Sequence, residues 1–509
     1  MFRDRLTKDV FKTALWIVAV IVACRFTKGY ATAAVVLWAC YGALAHRTWV
    51  ALAGFMLFPL FIVMNGAILP KSGSVGLIFR VGTAVMAFAF LISASSRRGG
   101  ERIPLGGLFL FLVVATISST VGYFPMISYL KEVNFLIFLL GVWMGTRNIH
   151  HRADDLYKLR CLMLAIIALT VYGTYLTLPF PGIAYPQNVA GLMMWGGLSE
   201  ADAIAVLGQS AEPSFLAGIA SHSNTLAPML ACSTGLLMCD LFFVERKMTR
   251  FHTVTLLAIL PLLYLTRSRG ALVSFLAAVT IVYTVGTSGR QISAFLKGKV
   301  RAAIIGLLFV AFLGALFLEA KDNSFSKYLR KETSRADAQA GLTERLTASR
   351  MGVIERSLDD FRQNPFFGMG FQTAREHRFL YDEGMITIYS APIEKGVLPT
   401  MVLGETGIVG ATVFFIWLLG FWSACKRKQY ICTLCLMGVL LATNLGEASF
   451  FSPGGLGGIL WILTVVGGFL CDMQILHRKN IERRLRQMMG IGGERGYGGE
   501  RGALGEGLR

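Results

Sequence analysis

The 509-residue chain is 54% hydrophobic, and only 16% of its residues carry a charged side chain, although lysine and arginine give it a formal net charge of +19. This composition excludes the ordinary soluble classes and is typical of a polytopic membrane protein. Basic loops and a basic tail facing anionic lipid account for the charge, so we infer membrane lipids and no nucleic acid as partners.

Long apolar runs recur along the whole chain. Those able to cross about 30 Å of hydrocarbon predict roughly fourteen transmembrane helices and an all-α fold. Their approximate limits are 10–26, 29–45, 49–68, 75–94, 104–124, 130–146, 159–178, 222–244, 251–267, 270–288, 300–319, 397–424, 430–447 and 455–475.

Lysine and arginine collect in alternate loops, on the same side as both termini. These loops are HRT (46–48), SSRRGGER (95–102), RNIHHR (147–152), VERKMTR (244–250), GRQISAFLKGKVR (289–301) and CKRK (425–428). The stretch between Arg160 and Arg246 has no lysine or arginine, yet it contains Glu200, Asp202 and Glu212. The positive-inside rule therefore predicts that both termini are cytoplasmic.

The chain divides into four predicted regions. Residues 1–319 hold eleven spans with an outside loop at about 179–221, and 320–396 form a large outside loop. Residues 397–475 hold the last three spans. The tail, 476–509, begins as a basic helix at the membrane surface and continues as Gly-rich repeats, which we interpret as disordered.

The cysteines predict neither a disulfide framework nor a redox site, because all nine lie in or beside apolar runs. Cys432 and Cys435 form a C-x-x-C inside an apolar helix without histidines nearby. We interpret them as small buried side chains.

An amphipathic helix is predicted in the second outside loop. In LTERLTASRMGVIERSLDDF, apolar residues recur at three-to-four-residue spacing, until Asn364-Pro365 stops the pattern. Arg350 falls on the apolar stripe, whereas Arg345 and Arg356 do not. A charge on a packed face needs a partner, which is either an internal carboxylate or a bound anion.

Two further arginines interrupt an apolar stretch at YLTRSRGALVSF (264–275). Arg267 and Arg269 lie at the outer end of a span, where snorkelling to the interface costs little. In a regular helix their side chains would point about 200° apart, so both cannot serve one ligand. Arg269 precedes Gly270 and Ala271, which allow close backbone approach, and it is the better candidate for the inward position.

Five motifs resemble those of the O-antigen polymerase and O-antigen ligase superfamily of bacterial surface-polysaccharide assembly, with the polymerase branch most similar. They are AEPSFLAG (211–218), SHSNTLAP (221–228), LTRSRGALVSF (265–275), SRMGVIERSLDDFRQNPFFGMGF (349–371) and LGETGIVGA (403–411). They occur in the family's order over the C-terminal two-thirds of the chain. The N-terminal third matches in hydropathy only.

The resemblance implies a metal-independent inverting glycosyltransferase of the membrane-embedded (GT-C-like) type, with no cofactor. Such an enzyme would transfer a glycan from an undecaprenyl-pyrophosphate carrier at the periplasmic face of the bacterial inner membrane. By the family match, Arg269 and Arg350 would hold the pyrophosphate, and bidentate guanidinium groups suit that task. Arg267 is a further candidate, and Arg80, an isolated charge in the fourth span, either assists or forms an intramembrane salt bridge.

The general base is where the chain departs from the family pattern. Ligase-like members carry a His-Asn pair shortly before the E-x-G, but this chain has Gly396 at that spacing. Glu394, Glu212 and His222 are therefore the candidate bases. Glu212 is expected either to act as the base or to hold the hydroxyl groups of the acceptor sugar. His222 has an alternative structural role as the cap of a span.

Two points of interpretation stay open at this level. Glu405, in E-T-G, is expected either to fix a turn between an interfacial helix and the following span or to be purely structural. Polymerisation of carrier-linked repeat units is the favoured function, with a ligase and a lipid-linked oligosaccharide flippase as alternatives. A transporter would be expected to show internal repeats, which we do not find. The sequence does not name the sugars or a chain-length regulator as partner.

Overall fold

The computed structural model describes residues 5–69, 74–94, 102–147, 153–184, 216–247, 249–266, 268–288, 342–373, 397–446 and 448–489. These residues form an all-helical bundle. The helices are α1 (Arg5–Phe26), α2 (Ala31–Leu44), α3 (Thr48–Val63), α4 (Ser74–Ala94), α5 (Gly106–Val121), α6 (Pro125–Arg147), α7 (Ala153–Thr177), α8 (Pro181–Ala184), α9 (Ser223–Glu245), α10 (Arg250–Leu265), α11 (Arg269–Ser288), α12 (Leu342–Gln363), α13 (Leu398–Lys428), α14 (Ile431–Thr443) and α15 (Leu456–Met488).

The predicted spans coincide with helices wherever they fall on described residues. Five helices, α6, α7, α9, α13 and α15, are long and apolar enough to cross a membrane, and the shorter apolar helices pack among them. This confirms a polytopic all-α membrane protein. The count of fourteen stays a prediction, and the span at 300–319 lies outside the described residues.

The bundle is apolar on its outside as well as in its core, as a lipid environment requires. α9 is buried along its whole length, whereas most of α13 faces outward. Large apolar side chains that are exposed include Leu37, Phe88, Leu110, Val113, Phe415, Ile416 and Trp422. In water such a surface would aggregate, so lipid is its natural contact.

Three of the long helices contain a π-helical turn. The turns are Leu169–Gly173 in α7, Asp240–Glu245 in α9 and Ile462–Val466 in α15. A π-helical turn changes the direction in which the following side chains point, and such turns are frequent at functional sites. The turn in α9 begins at Asp240, which is buried in an ionic cluster.

That cluster lies at one end of the bundle, which we call the basic end and define by Arg147, Arg246 and Arg427. Arg160 of α7 donates two hydrogen bonds of 2.7 Å to the carboxylate of Asp240 and a third, of 2.9 Å, to Glu245. His252 of α10 contacts Asp240 Oδ2 through Nε2 at 2.8 Å. The cluster therefore joins three helices through one fully satisfied carboxylate.

The basic end also receives the last helix of the chain. Arg478 donates to the carbonyl of Val244 at 2.6 Å, and Lys479 donates to Gln429 at 3.0 Å. α15 continues unbroken past the predicted end of its span at 475, so the start of the basic tail is helical to Met488.

Candidate active site

The opposite end, which we call the motif end, is defined by Met64, Ala220, Gly270 and Gly446. Met64 and Ala220 form a β-bridge, and the Ser221 N–H donates to Val63 at 2.8 Å. These bonds hold the start of α9 against the end of α3. The Leu216 N–H donates to Leu265 at 3.3 Å, which places the same segment beside the turn into α11.

α13 is broken within the E-T-G motif. Gly407 has φ +63° and ψ −167°, which an α-helix does not allow. A Cβ at this position would lie 2.3 Å from the carbonyl carbon of Phe366. Glycine is therefore required twice over, for its backbone conformation and for the approach of another segment.

That other segment is residues 364–373, which we call the crossing segment, and it connects directly to α12. Four backbone hydrogen bonds join it to α13: Met369 N to Gly404 O (3.0 Å), Gly370 N to Glu405 O (3.1 Å), Ile408 N to Pro365 O (2.8 Å) and Val409 N to Phe366 O (3.3 Å). Two of the five sequence motifs thus interlock, backbone against backbone, at the break in α13.

The turn between α5 and α6 closes the other side of the crossing segment. Ser118 Oγ donates to the carbonyl of Glu405, and the Tyr123 N–H donates to Met369 at 3.2 Å. Lys131 Nζ donates to the carbonyl of Gln372 at 2.9 Å. Beneath these contacts lies an aromatic cluster made of Phe111, Phe135, Phe371, Phe414, Phe450, Phe451 and Trp461.

Asn444, at the end of α14, shapes the turn that follows. Its Oδ1 accepts the N–H groups of Ser449 and Phe450, both at 2.7 Å, and its carbonyl accepts the Leu398 N–H at 2.9 Å. One buried side chain therefore fixes the turn after α14, while its backbone holds the first residue of α13.

The same turn meets the start of α11. The Cα of Gly446 lies 3.3 Å from where a Cβ on Gly270 would stand, so a side chain at either position would push against the backbone of the other. Arg269, the first residue of α11, directly precedes this contact. α12 packs against α13 as closely, because a Cβ on Gly404 would lie 2.6 Å from the carbonyl oxygen of Ser357. Backbone contacts thus connect the helices that carry Arg269 and Arg350.

The predicted site residues are described to different extents. Arg269, Arg350 and Arg80 lie on α11, α12 and α4, and their side chains lie outside the described residues. Arg267, Glu212 and Glu394 are outside them altogether. Their roles stay predictions.

His222 and Glu405 are both described at the motif end. His222 precedes α9, and its Nδ1 accepts the Asn224 N–H at 3.1 Å. This is the geometry of a helix cap, the structural role named above as an alternative for His222. Glu405 is 2% exposed and lies two residues before the break. The turn expected at E-T-G is present, at Gly407.

One candidate was missed in the sequence. Glu132 follows Lys131 near the predicted start of a span at 130, where the pair resembles an interfacial ion pair. α6 instead begins at Pro125, so Glu132 lies two turns into the helix and is 6% exposed. Helical phase could have placed it on an inward face, but its depth in the bundle depends on the correct first residue of α6.

The fold and the motif end define a polytopic, all-helical membrane protein in which several of the sequence motifs meet at one end of the bundle. Residues 254–415 match the model of the O-antigen ligase family. The match runs from α10 through the break in α13, and it supports the resemblance of this part of the chain to the O-antigen ligase and polymerase superfamily. A search of curated proteins found no match.

Proposed function

We propose that the protein polymerises undecaprenyl-pyrophosphate-linked oligosaccharide repeat units into a surface polysaccharide, an O-antigen, capsule or exopolysaccharide. The observation that carries the proposal is the interlock of the crossing segment with the break in α13. Both elements lie inside the matched region, and the interlock sets the position of the helix that bears Arg350.

The proposed chemistry is metal-independent, inverting glycosyl transfer in a GT-C-like framework. The acceptor hydroxyl attacks the anomeric carbon and the carrier pyrophosphate leaves. Negative charge grows on the leaving group, and fixed cations stabilise it. Arg269 and Arg350 supply that charge, with Arg267 and Arg80 as further candidate cations. Glu405 supports the break in α13, to which the crossing segment is hydrogen-bonded.

The proposed orientation places the basic end in the cytoplasm and the motif end at the periplasmic face of the inner membrane. Support comes from the contacts that gather the basic loops at one end, among them Arg102 over the Trp143 ring at 5.3 Å and Ser93 with His46 at 3.4 Å. Both termini are then cytoplasmic by the positive-inside rule. The partners are the carrier-linked glycan and membrane lipids, and a chain-length regulator is a further candidate.

The glycan of a deletion strain tests the function. Loss of a polymerase leaves single repeat units on the final acceptor. Loss of a ligase leaves long chains on the carrier and none on the acceptor. The ligase reading is the second candidate, favoured by the name of the matching family model. Normal long chains on the acceptor would refute both.

Arginine variants test the site. Arg350→Ala and Arg269→Ala should each abolish polymer at near-normal protein levels, and lysine should restore little because it cannot make a planar bidentate contact. Arg356 is the matched control on the same helix, since it is exposed and its Nε donates to the carbonyl of Gly352 at 3.1 Å. If Arg356→Ala is as damaging as Arg350→Ala, α12 does not present Arg350 to a ligand.

A further inference from the structure

Glu132 has an unusual environment for a carboxylate inside a membrane-spanning helix. Thr116 Oγ1 donates to its Oε1. Its Oε2 is buried and has no hydrogen-bond donor in the part of the chain that the structure describes. Burying a carboxylate without full compensation costs several kcal/mol, and ionisable groups kept at this depth generally serve a function.

Two of the other buried carboxylates, those of Asp240 and Asp472, are paired differently. Asp240 has Arg160 and His252 as partners. Asp472 accepts two backbone N–H groups and the Thr433 hydroxyl, at 2.7–2.9 Å, and so caps the start of α14. Both carboxylates have donors for both oxygens. Among the described residues, Glu132 is therefore a buried carboxylate with an oxygen left open.

Hydroxyl groups near the end of α5 contact both Glu132 and the backbone beside the break in α13. Thr116, Ser118 and Ser119 follow one another on the last turns of α5, where Ser118 bonds to the backbone of Glu405. The Ser119 hydroxyl is a hydrogen-bonding neighbour of the Glu132 carboxylate. The contact is loose, because neither Ser119 Oγ nor Glu132 Oε2 has a well-formed hydrogen bond within the described residues. These two buried polar atoms lie next to each other, close to the interlock.

We propose that Glu132 is the proton acceptor of the transfer reaction, an inference that rests on the proposed polymerase function. The acceptor O–H bond breaks as the new bond to the anomeric carbon forms. The electron pair of the old glycosyl–phosphate bond leaves with the pyrophosphate. The proton goes to Glu132 Oε2, directly or through the Ser119 hydroxyl, which passes on its own proton and takes up that of the acceptor.

The assignment fits the chemistry of the site. A carboxylate oxygen that accepts no hydrogen bond keeps its lone pairs available for a proton. General bases act directly or through one intervening hydroxyl or water. Glu212 then takes the other role expected for it, that of holding the hydroxyl groups of the acceptor sugar.

The test uses full-length protein in lipid nanodiscs with purified lipid-linked repeat units. Glu132→Gln keeps the shape of the side chain and an acceptor for Thr116, but it cannot take up the proton. Turnover should fall by about 10²–10⁴-fold, with carrier binding unchanged. Glu245→Gln is the matched control, because it removes a carboxylate charge at the basic end, far from the reaction.

The pH profile separates catalysis from folding. Wild-type turnover should decline at low pH as the base becomes protonated, and this acid limb should be absent from the residual activity of Glu132→Gln. Glu132→Asp should retain part of the activity per folded molecule, with its acid limb displaced from the wild-type position. If Glu132→Gln misfolds, the aspartate variant decides. An acid limb at the wild-type position, with wild-type turnover per folded molecule, would overturn the proposal.

The remaining outcomes distinguish this inference from the function on which it rests. Near-wild-type turnover in Glu132→Gln, with wild-type protein elongating the repeats, would overturn the role of Glu132 and leave the polymerase standing. If wild-type protein binds the lipid-linked repeat unit but does not lengthen its glycan, the proposed polymerase function is refuted.

Discussion

Gly368→Ala tests whether the interlock positions α12. Gly368 has φ +69°, and a Cβ there would lie 2.4–2.5 Å from three backbone atoms of Glu405 and Thr406. The left-handed conformation costs alanine about 1–2 kcal/mol, and a clash that backbone must relieve adds about 1–3 kcal/mol. The total, about 2–5 kcal/mol, is a large share of the stability of an ordinary protein domain.

Gly352→Ala is the matched control. Gly352 lies on α12, is exposed, and has no atom within 4 Å of an added Cβ. Alanine should stabilise the helix there by up to about 1 kcal/mol. We expect Gly368→Ala to lose the main protein peak in size-exclusion chromatography at a lower temperature than wild type, and to lose polymer in cells. Gly352→Ala should do neither. Equal heat resistance and equal polymer in both variants would refute the argument.

Two further predictions concern the basic end and the orientation. Asp240→Asn should destabilise the protein by about 3–5 kcal/mol, because it leaves a buried guanidinium without its bidentate partner, whereas Glu245→Gln should cost about 1–2 kcal/mol; equal loss in the two variants on heating in detergent would contradict this. Cysteines introduced at Gly384 and Gly493, both outside the described residues, should differ in reactivity, with only the first labelled by an impermeant thiol reagent from the periplasmic side. Equal labelling would refute the predicted topology.

Helix positions were predictable because the solvent imposes them. A segment that crosses lipid must be apolar and must satisfy its own backbone, so hydropathy alone located the helices. The end of α12 was also predictable, since Asn364-Pro365 cannot continue a helix, and α12 ends at Gln363. In these cases the signal is local, within a few residues of the feature it determines.

The site was less predictable because its contacts join residues far apart in the chain. The contact of Gly270 with Gly446 depends on two turns that no local pattern relates. In the sequence, Asn444 is an ordinary polar residue at the end of an apolar run. Only the structure shows that its side chain accepts the N–H groups of Ser449 and Phe450. Glu132 was not singled out in the sequence, and the span predicted to begin at 130 placed it at the edge of the bundle, whereas α6 begins five residues earlier, at Pro125.

The ionic cluster at the basic end has a consequence for how the protein is made. During synthesis, α7 enters the membrane before Asp240 and His252 have been made. Arg160 therefore has no carboxylate partner at that stage. It lies close enough to the end of its helix to reach the interface in the meantime. The cluster is complete only when α10 has entered, and Arg478 contacts Val244 only after α15 has been made. This end of the bundle therefore closes late, after the synthesis of α15.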